Sequence, residues 1–209
     1  RDRAWCAGLD VGAAASGEGI GGDSSTTATG EFNLRDAPPV VLHKIDTPTI
    51  AALNGGAAGY GMDLALGCDI RIMADNAKLA AAFTARGVVP ESGGTWILPR
   101  LIGWSKASEI IFTGKTLLAA ECEEMGLVSR VESNNEVLAE AVEMGKAIAK
   151  NAPLAVQASK RMMRMGMNET FNDHVHHVFL QLLPLFQSAD FQEGMASFME
   201  KRAPEFKGH

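Results

Sequence analysis

Two carboxylates stand in surroundings that alter how they hold a proton. Asp63 lies in Gly59-Tyr60-Gly61-Met62-Asp63-Leu64-Ala65-Leu66, where an apolar setting would raise its pKa. Glu91 follows Pro90 and precedes Ser92-Gly93-Gly94, at the mouth of an expected helix, whose N-terminal dipole favours the charged form. Such a pair has the makings of general acid–base chemistry. The plainer reading is a hydrogen-bonded structural Asp and a helix-entry Glu. Two glycine-rich turns accompany them, Cys6-Ala7-Gly8-Leu9-Asp10 and Asn54-Gly55-Gly56-Ala57-Ala58-Gly59-Tyr60-Gly61. Small residues let backbone approach a ligand closely, and a helix directly after the second turn leaves N–H groups to point at it. One N–H from each turn would make an oxyanion hole. Tight packing is the plainer account of the glycines. Neither turn has the G-x-G-x-x-G pattern of a dinucleotide site.

Other candidates carry less. Gly114-Lys115-Thr116 looks like the tail of a phosphate loop, but Glu109 stands where that loop needs its first Gly. Pro90 occupies the first glycine position of a nucleophile elbow around Ser92. His174 and His177 share a helical face and His176 does not, so packed or interface histidines are expected rather than a metal site. Met162, Met163, Met165 and Met167 read as core or subunit contacts. Cys6, Cys68 and Cys122 are odd in number and widely spaced, which fits free thiols in a reducing compartment.

The elements that must position these residues follow from the pattern. Residues 12–30 are small and polar and read as a loop, a lid over a site in one reading. Thr47–Leu53 reads as a buried strand ending at the Asn54-Gly55-Gly56 turn, followed by a short buried helix and then a strand through Ile70 and Ile72. Residues 86–98 form a Pro/Gly loop running into a helix. Helices are expected over 105–113, 119–125, 136–149, 153–165, 169–183 and 189–201. Strands early and helices late give a mixed α/β core, over 1–135, with a helical region over 136–209.

Composition bounds the function. The chain has 209 residues, 46% hydrophobic and 21% charged, enough for a full core without disulfide or metal staples. A net charge of -6 argues against nucleic acid as a partner. No apolar run reaches membrane-span length, and a cytoplasmic location is expected. The chain starts at Arg1-Asp2-Arg3 without Met, so a targeting segment ahead of it stays open.

At these residues the sequence resembles the crotonase superfamily, the enoyl-CoA hydratase and isomerase family. Arg3-Ala4-Trp5-Cys6-Ala7-Gly8-Leu9-Asp10 looks like its first oxyanion segment, and residues 48–69, PTIAALNGGAAGYGMDLALGCD, like its second. Residues 87–103, GVVPESGGTWILPRLIG, match the loop and helix that follow, and residues 191–207, FQEGMASFMEKRAPEFK, a C-terminal signature. The family's N-terminal strands and first helix are absent. The resemblance implies a spiral of ββα units with C-terminal helices that build a homotrimer or hexamer. It implies an acyl-CoA thioester substrate, so coenzyme A is part of the substrate and no separate cofactor or metal is expected. The oxyanion N–H donors would be those of Leu9 and Tyr60. Ala7, Gly8, Asp10, Val11, Ala58 and Gly59 would border the substrate, and Phe198 and Lys201 would reach the CoA of a neighbouring subunit.

The departures bear on the reaction. Where family hydratases carry two glutamates, this chain has Asp63, one methylene shorter, and Phe83, which is neither acid nor base. Glu91 falls where some family isomerases keep a single glutamate. One base can take a proton α to the thioester and return it at the γ carbon, moving a 3-enoyl double bond to the 2-enoyl position, in a pocket that Phe83 keeps dry. Isomerisation is therefore the expected reaction. Hydration using Asp63, thioester hydrolysis and acyl-CoA binding without chemistry are the alternatives. The Tyr60 ring, in place of the commoner glycine, would narrow the pocket.

Overall fold

The β-branched and alanine residues after Thr49 form β2 (Ile50–Leu53), which pairs in parallel with β4 (Ile70–Ala74). Strand β4 in turn pairs in parallel with β7 (Arg130–Glu132). Ile72, Met73 and Ala74 are all buried, as expected of a parallel strand covered on both faces. A second sheet runs in the order β1 (Ala4–Cys6), β3 (Gly56–Ala58), β5 (Lys78–Ala80), β6 (Thr116–Leu118), with only β5 and β6 antiparallel. The computed structural model describes residues 4–10, 12, 16 and 34–209. Val11 and most of the 12–30 loop lie outside the described residues.

Consecutive strands part into different sheets, and a helix follows. Strands β2 and β3 lead to α2 (Tyr60–Gly67), after an earlier helix α1 (Pro38–Lys44). Strands β4 and β5 lead through a single 3-10 turn (Thr84–Arg86) to α3 (Gly94–Ile102) and α4 (Trp104–Thr113). After β6 comes α5 (Ala119–Glu124). This is the expected ββα repeat. One detail differs from the sequence reading. Gly56–Ala58, expected as part of a turn, is a strand wedged between β1 and β5. Its residues are small enough for neighbours to close on both sides.

The chain divides into two units. One takes in the chain up to Lys44 and Thr49–Ala141; the other is Ile45–Pro48 with Val142–His209. In the first, Arg71 is a buried cation. Its Nε donates to Leu127 O at 2.7 Å, and its Nη1 donates to Cys68 O at 2.6 Å and Ala65 O at 3.3 Å, carbonyls at the end of α2. The helix α6 (Val137–Ala149) has its first residues in this unit.

The second unit holds α7 (Pro153–Gly166), α8 (Phe171–Phe186) and α9 (Ala189–Glu200). The Thr170 and Ser188 hydroxyls cap α8 and α9. Asp46 pairs with Arg161 at 2.5 Å and Arg164 at 3.1 Å, and the Arg161 bond does most to hold its carboxyl below the usual range. His174 and His177 do share a face: their Nδ1 atoms each lie 3.0 Å from Glu169, one on each carboxylate oxygen. Cys6, Cys68 and Cys122 are free thiols, the last two buried.

Gly61, in α2, faces β1 so closely that a Cβ there would stand 2.1 Å from Cys6 O. Gly61→Ala is therefore expected to destabilise the chain by about 1–3 kcal/mol or more, through overpacking against backbone that cannot swing aside. Thermal unfolding checks this, and an unchanged Tm would contradict the close packing.

Candidate active site

The two glycine-rich turns meet. Gly8, at φ 92°, follows β1 and lies against the residues that join β3 to α2: a Cβ on it would be 2.7 Å from Ala58 O and 3.5 Å from Tyr60 N. Gly59, at φ 54°, turns the chain from β3 into α2, and its N–H donates to Ala80 O at 3.0 Å. The Gly59 carbonyl accepts from Met62 and Asp63 N–H, which starts the helical ladder one residue beyond Tyr60 and Gly61. The Tyr60 N–H is thus among those that a helix leaves without an intrahelical acceptor.

Both turns line one cavity of about 110 Å³. Eight expected residues meet there: Ala7, Gly8, Leu9, Ala58, Gly59, Tyr60, Phe83 and Glu91. Ala82, Arg86 and Val88 join them, and sequence reasoning had not singled these out. Their signal was position alone, since they flank Phe83 on the way to Glu91. Phe83 is buried, and its carbonyl accepts from Arg86 and Val88 N–H, which folds this stretch back over the cavity. Arg86 is exposed and donates through Nη1 to Ala82 O at 2.8 Å.

Asp63 and Glu91 are separated by burial. Glu91 is half-buried on the cavity wall, and its carboxylate has no hydrogen-bond partner among the described residues. Asp63, 1% exposed, sits behind the wall and does not line the cavity. Its Oδ2 accepts from Ser92 N–H at 3.0 Å, the residue after Glu91. Its Oδ1 has no hydrogen bond of good geometry and faces Gly94, where a Cβ would come within 2.1 Å of it. Burial, and secondarily the Glu91 charge, raise the Asp63 pKa to about 6 against the pull of the Ser92 and Gly94 amides. Burial and then Glu91 likewise raise the Tyr60 phenol. Asp63 and Tyr60 therefore both feel the charge on Glu91.

Of the remaining expected residues, Asp10 does not line the cavity. Asp10 is exposed and accepts Gly12 N–H at 2.8 Å. Val11 is outside the described residues. Phe198 and Lys201 belong to the second unit, at the end of α9, where Lys201 N–H donates to Phe198 O and Phe198 is 79% exposed. That unit has its own cleft of about 540 Å³. Its walls are occupied by structural bonds: Glu193 pairs with Arg202, and Asp190 accepts Lys207 and Gly208 N–H. Among the described residues no three His, Cys, Asp or Glu side chains are grouped to hold a metal ion. No described helix is long and apolar enough to cross a membrane.

Comparison with known proteins gives a consistent result. The family model described as enoyl-CoA hydratase/isomerase matches residues 1–209. A carnitinyl-CoA dehydratase of Proteus mirabilis is 36% identical over 211 residues, covering 99% of this chain and 78% of that protein. The mitochondrial enoyl-CoA hydratase domain-containing protein 2 of Mus musculus is 40% identical over 77% of this chain and 56% of its own length. The crystal structure of an enoyl-CoA hydratase from Bacillus anthracis superposes with a TM-score of 0.89 at 33% identity, over 100% of this chain and 79% of that one. Relatives from Bacillus subtilis and Mycobacterium bovis are spanned over 65% and 64% of their length.

The environment of Asp63 gives stability a pH dependence. A carboxyl raised from 3.8 to about 6 on folding lets the folded chain hold a proton that the unfolded chain releases. Its penalty is absent below about pH 4, grows as pH rises through that window, and is complete above about pH 6. Between pH 4 and pH 8, Asp63→Asn should gain roughly 3 kcal/mol relative to the parent chain. Urea unfolding of both across that range checks this; parallel curves would contradict it.

Proposed function

The chain belongs to the enoyl-CoA hydratase/isomerase family, and from that premise we propose that it binds an acyl-CoA thioester and stabilises the thioester enolate. The thioester oxygen would accept the N–H groups of Leu9 and Tyr60, strengthening those bonds as negative charge develops on it. Glu91 would take the α proton and the γ carbon would receive one, so a 3-enoyl-CoA becomes a 2-enoyl-CoA. The observation that carries this reading is that Glu91 is the sole carboxylate among the described residues of the cavity wall, shared with both glycine-rich turns, while Phe83 fills another side and Asp63 lies behind. In this reading Asp63 acts through Ser92 N–H, holding the loop that presents Glu91.

Hydration is the second reading, favoured by the hydratase and dehydratase names of the relatives. An assay with 3-enoyl-CoA and 2-enoyl-CoA side by side, followed by the absorbance of the conjugated thioester, separates them. Conversion of the 3-enoyl substrate is expected, and loss of the 2-enoyl signal would mean hydration instead. With neither, hydrolysis or binding alone would take their place. Glu91→Gln should lower the isomerisation rate by about 10²–10⁴-fold while CoA-ester binding stays nearly unchanged. Full turnover by that variant, with loss in Asp63→Asn, would overturn the assignment.

The proposal includes a homotrimer, alone or paired into a hexamer, in the cytoplasm. What supports self-association is α8, which has no buried residue although Val175, Val178, Phe179, Leu182 and Leu183 are apolar. Phe198 and Lys201 would then reach the coenzyme A part of a substrate held by a neighbouring copy. Sedimentation equilibrium is expected to give three or six chains per particle, and a monomer at micromolar concentration would exclude this.

A further inference from the structure

Proton inventory of the cavity wall leads beyond a single base. Of the described side chains that line it, Tyr60, Arg86 and Glu91 carry polar atoms. Arg86 keeps its charge at any working pH and cannot supply a proton. Glu91 is the base. Tyr60 is the single tyrosine of the chain, and its ring leaves α2 at the first helical residue, the same residue whose N–H faces the oxyanion position. No hydrogen bond engages its hydroxyl among the described residues. Tyr60 is half-buried on the wall it shares with Glu91, and a phenol without a partner there stands ready for one that arrives with the substrate.

We propose that the Tyr60 hydroxyl is the acid partner of Glu91, giving the proton that quenches the dienolate at the γ carbon. The proposal rests on the isomerisation reading above. Glu91 takes the proton from the α carbon, and that C–H electron pair enters the dienolate. The dienolate pair at the γ carbon then forms a C–H bond with the phenolic hydrogen as the O–H bond breaks, leaving phenolate. The proton on the Glu91 carboxyl passes to the phenolate. Both groups return to their starting state and no net proton is gained or lost. Burial and the neighbouring Glu91 charge keep the phenol protonated until this moment, so it serves as donor and not as a second base. Phe83 contributes no proton, so this tyrosine fills the role of a second group from a position on the oxyanion turn itself.

Tyr60→Phe removes the hydroxyl and leaves both the backbone N–H and the aromatic wall. Two readouts are taken on the full chain: conversion of 3-enoyl-CoA to 2-enoyl-CoA, and exchange of the α protons of butanoyl-CoA with D₂O. The variant is expected to lose about 10²-fold or more in kcat for conversion, with KM little changed, while α exchange stays within about two-fold of the parent chain. Glu91→Gln, run in parallel, is expected to lose both. Conversion by Tyr60→Phe at the parent rate overturns the proposal and leaves Glu91 as a lone shuttle. Loss of α exchange together with conversion in Tyr60→Phe also overturns it, because the hydroxyl then supports the site as a whole. Parental α exchange in Glu91→Gln, or no conversion of 3-enoyl-CoA by the parent chain, overturns the underlying reading and this proposal with it.

Discussion

Three backbone-to-backbone approaches set the geometry on which the site depends. Gly61 stands against the Cys6 carbonyl and Gly8 against the Ala58 carbonyl, where a Cβ would collide, and Gly55 stands against Ala4, where a Cβ would be crowded at 3.0 Å. Because nothing but hydrogen occupies these positions, β1 can lie flush with β3 and with the start of α2. The turn after β1 and the turn after β3 then open on the same cavity. Donors placed this way are held by the sheet and the helix, not by side-chain rotamers. Preorganised donors of that kind stabilise developing charge without first having to rearrange.

The same helix start also separates the two acids. Asp63 is three residues after Tyr60, so it points from the first turn of α2 toward the base of the Glu91 loop. There Ser92 N–H holds one of its oxygens, and Gly94 leaves room for the other. The carboxyl is desolvated at a cost that two amides offset only in part, hence a pKa near 6. Glu91 is set on the opposite side of that loop, facing the cavity. One short loop thus carries both the half-buried Glu91 and the amide that anchors the loop to the buried acid. The anchoring depends on the charge of Asp63, and the charge of Asp63 is disfavoured by Glu91, so the two carboxylates cannot be changed independently.

Much of this was legible in the sequence because glycine clusters and apolar runs are local signals. The strand ending at Leu53, the helix before Cys68 and the six later helices follow from periodicity and capping, and all are found near the expected bounds. The convergence of residues 7–9, 58–60, 83 and 91 was legible only through family resemblance, because it joins segments up to 84 positions apart (91 minus 7). Strand β3 was hidden for a related reason: Gly56-Ala57-Ala58 has little strand propensity, and its conformation is imposed by β1 and β5 on either side. Burial of Asp63 behind the wall depends on where the Glu91 loop folds, which its own apolar neighbours do not reveal. Glu169 between His174 and His177 was missed because the acid precedes the helix that carries the histidines.

In the proposed reading, the balance of the cavity wall supports chemistry that moves protons over chemistry that adds water. A group that must activate water needs polar neighbours to hold that water in place. Around Glu91 the near walls are Ala82, Phe83, Val88 and the small residues of the two turns, and Arg86 is turned back onto Ala82 O. Apart from the Tyr60 hydroxyl and the amides of the two turns, which the proposed substrate would engage, a water there would find few of the two to four partners it needs. The flat, conjugated system of an enoyl thioester loses nothing against such walls. Its one strongly polar atom, the carbonyl oxygen, is the atom that the Leu9 and Tyr60 N–H groups would serve in the proposed reaction. Dryness also strengthens those two bonds, since the same charge is screened less when water is excluded. In the proposed reaction Phe83 and the two turns would act together, the buried ring lowering the dielectric in which the N–H pair works.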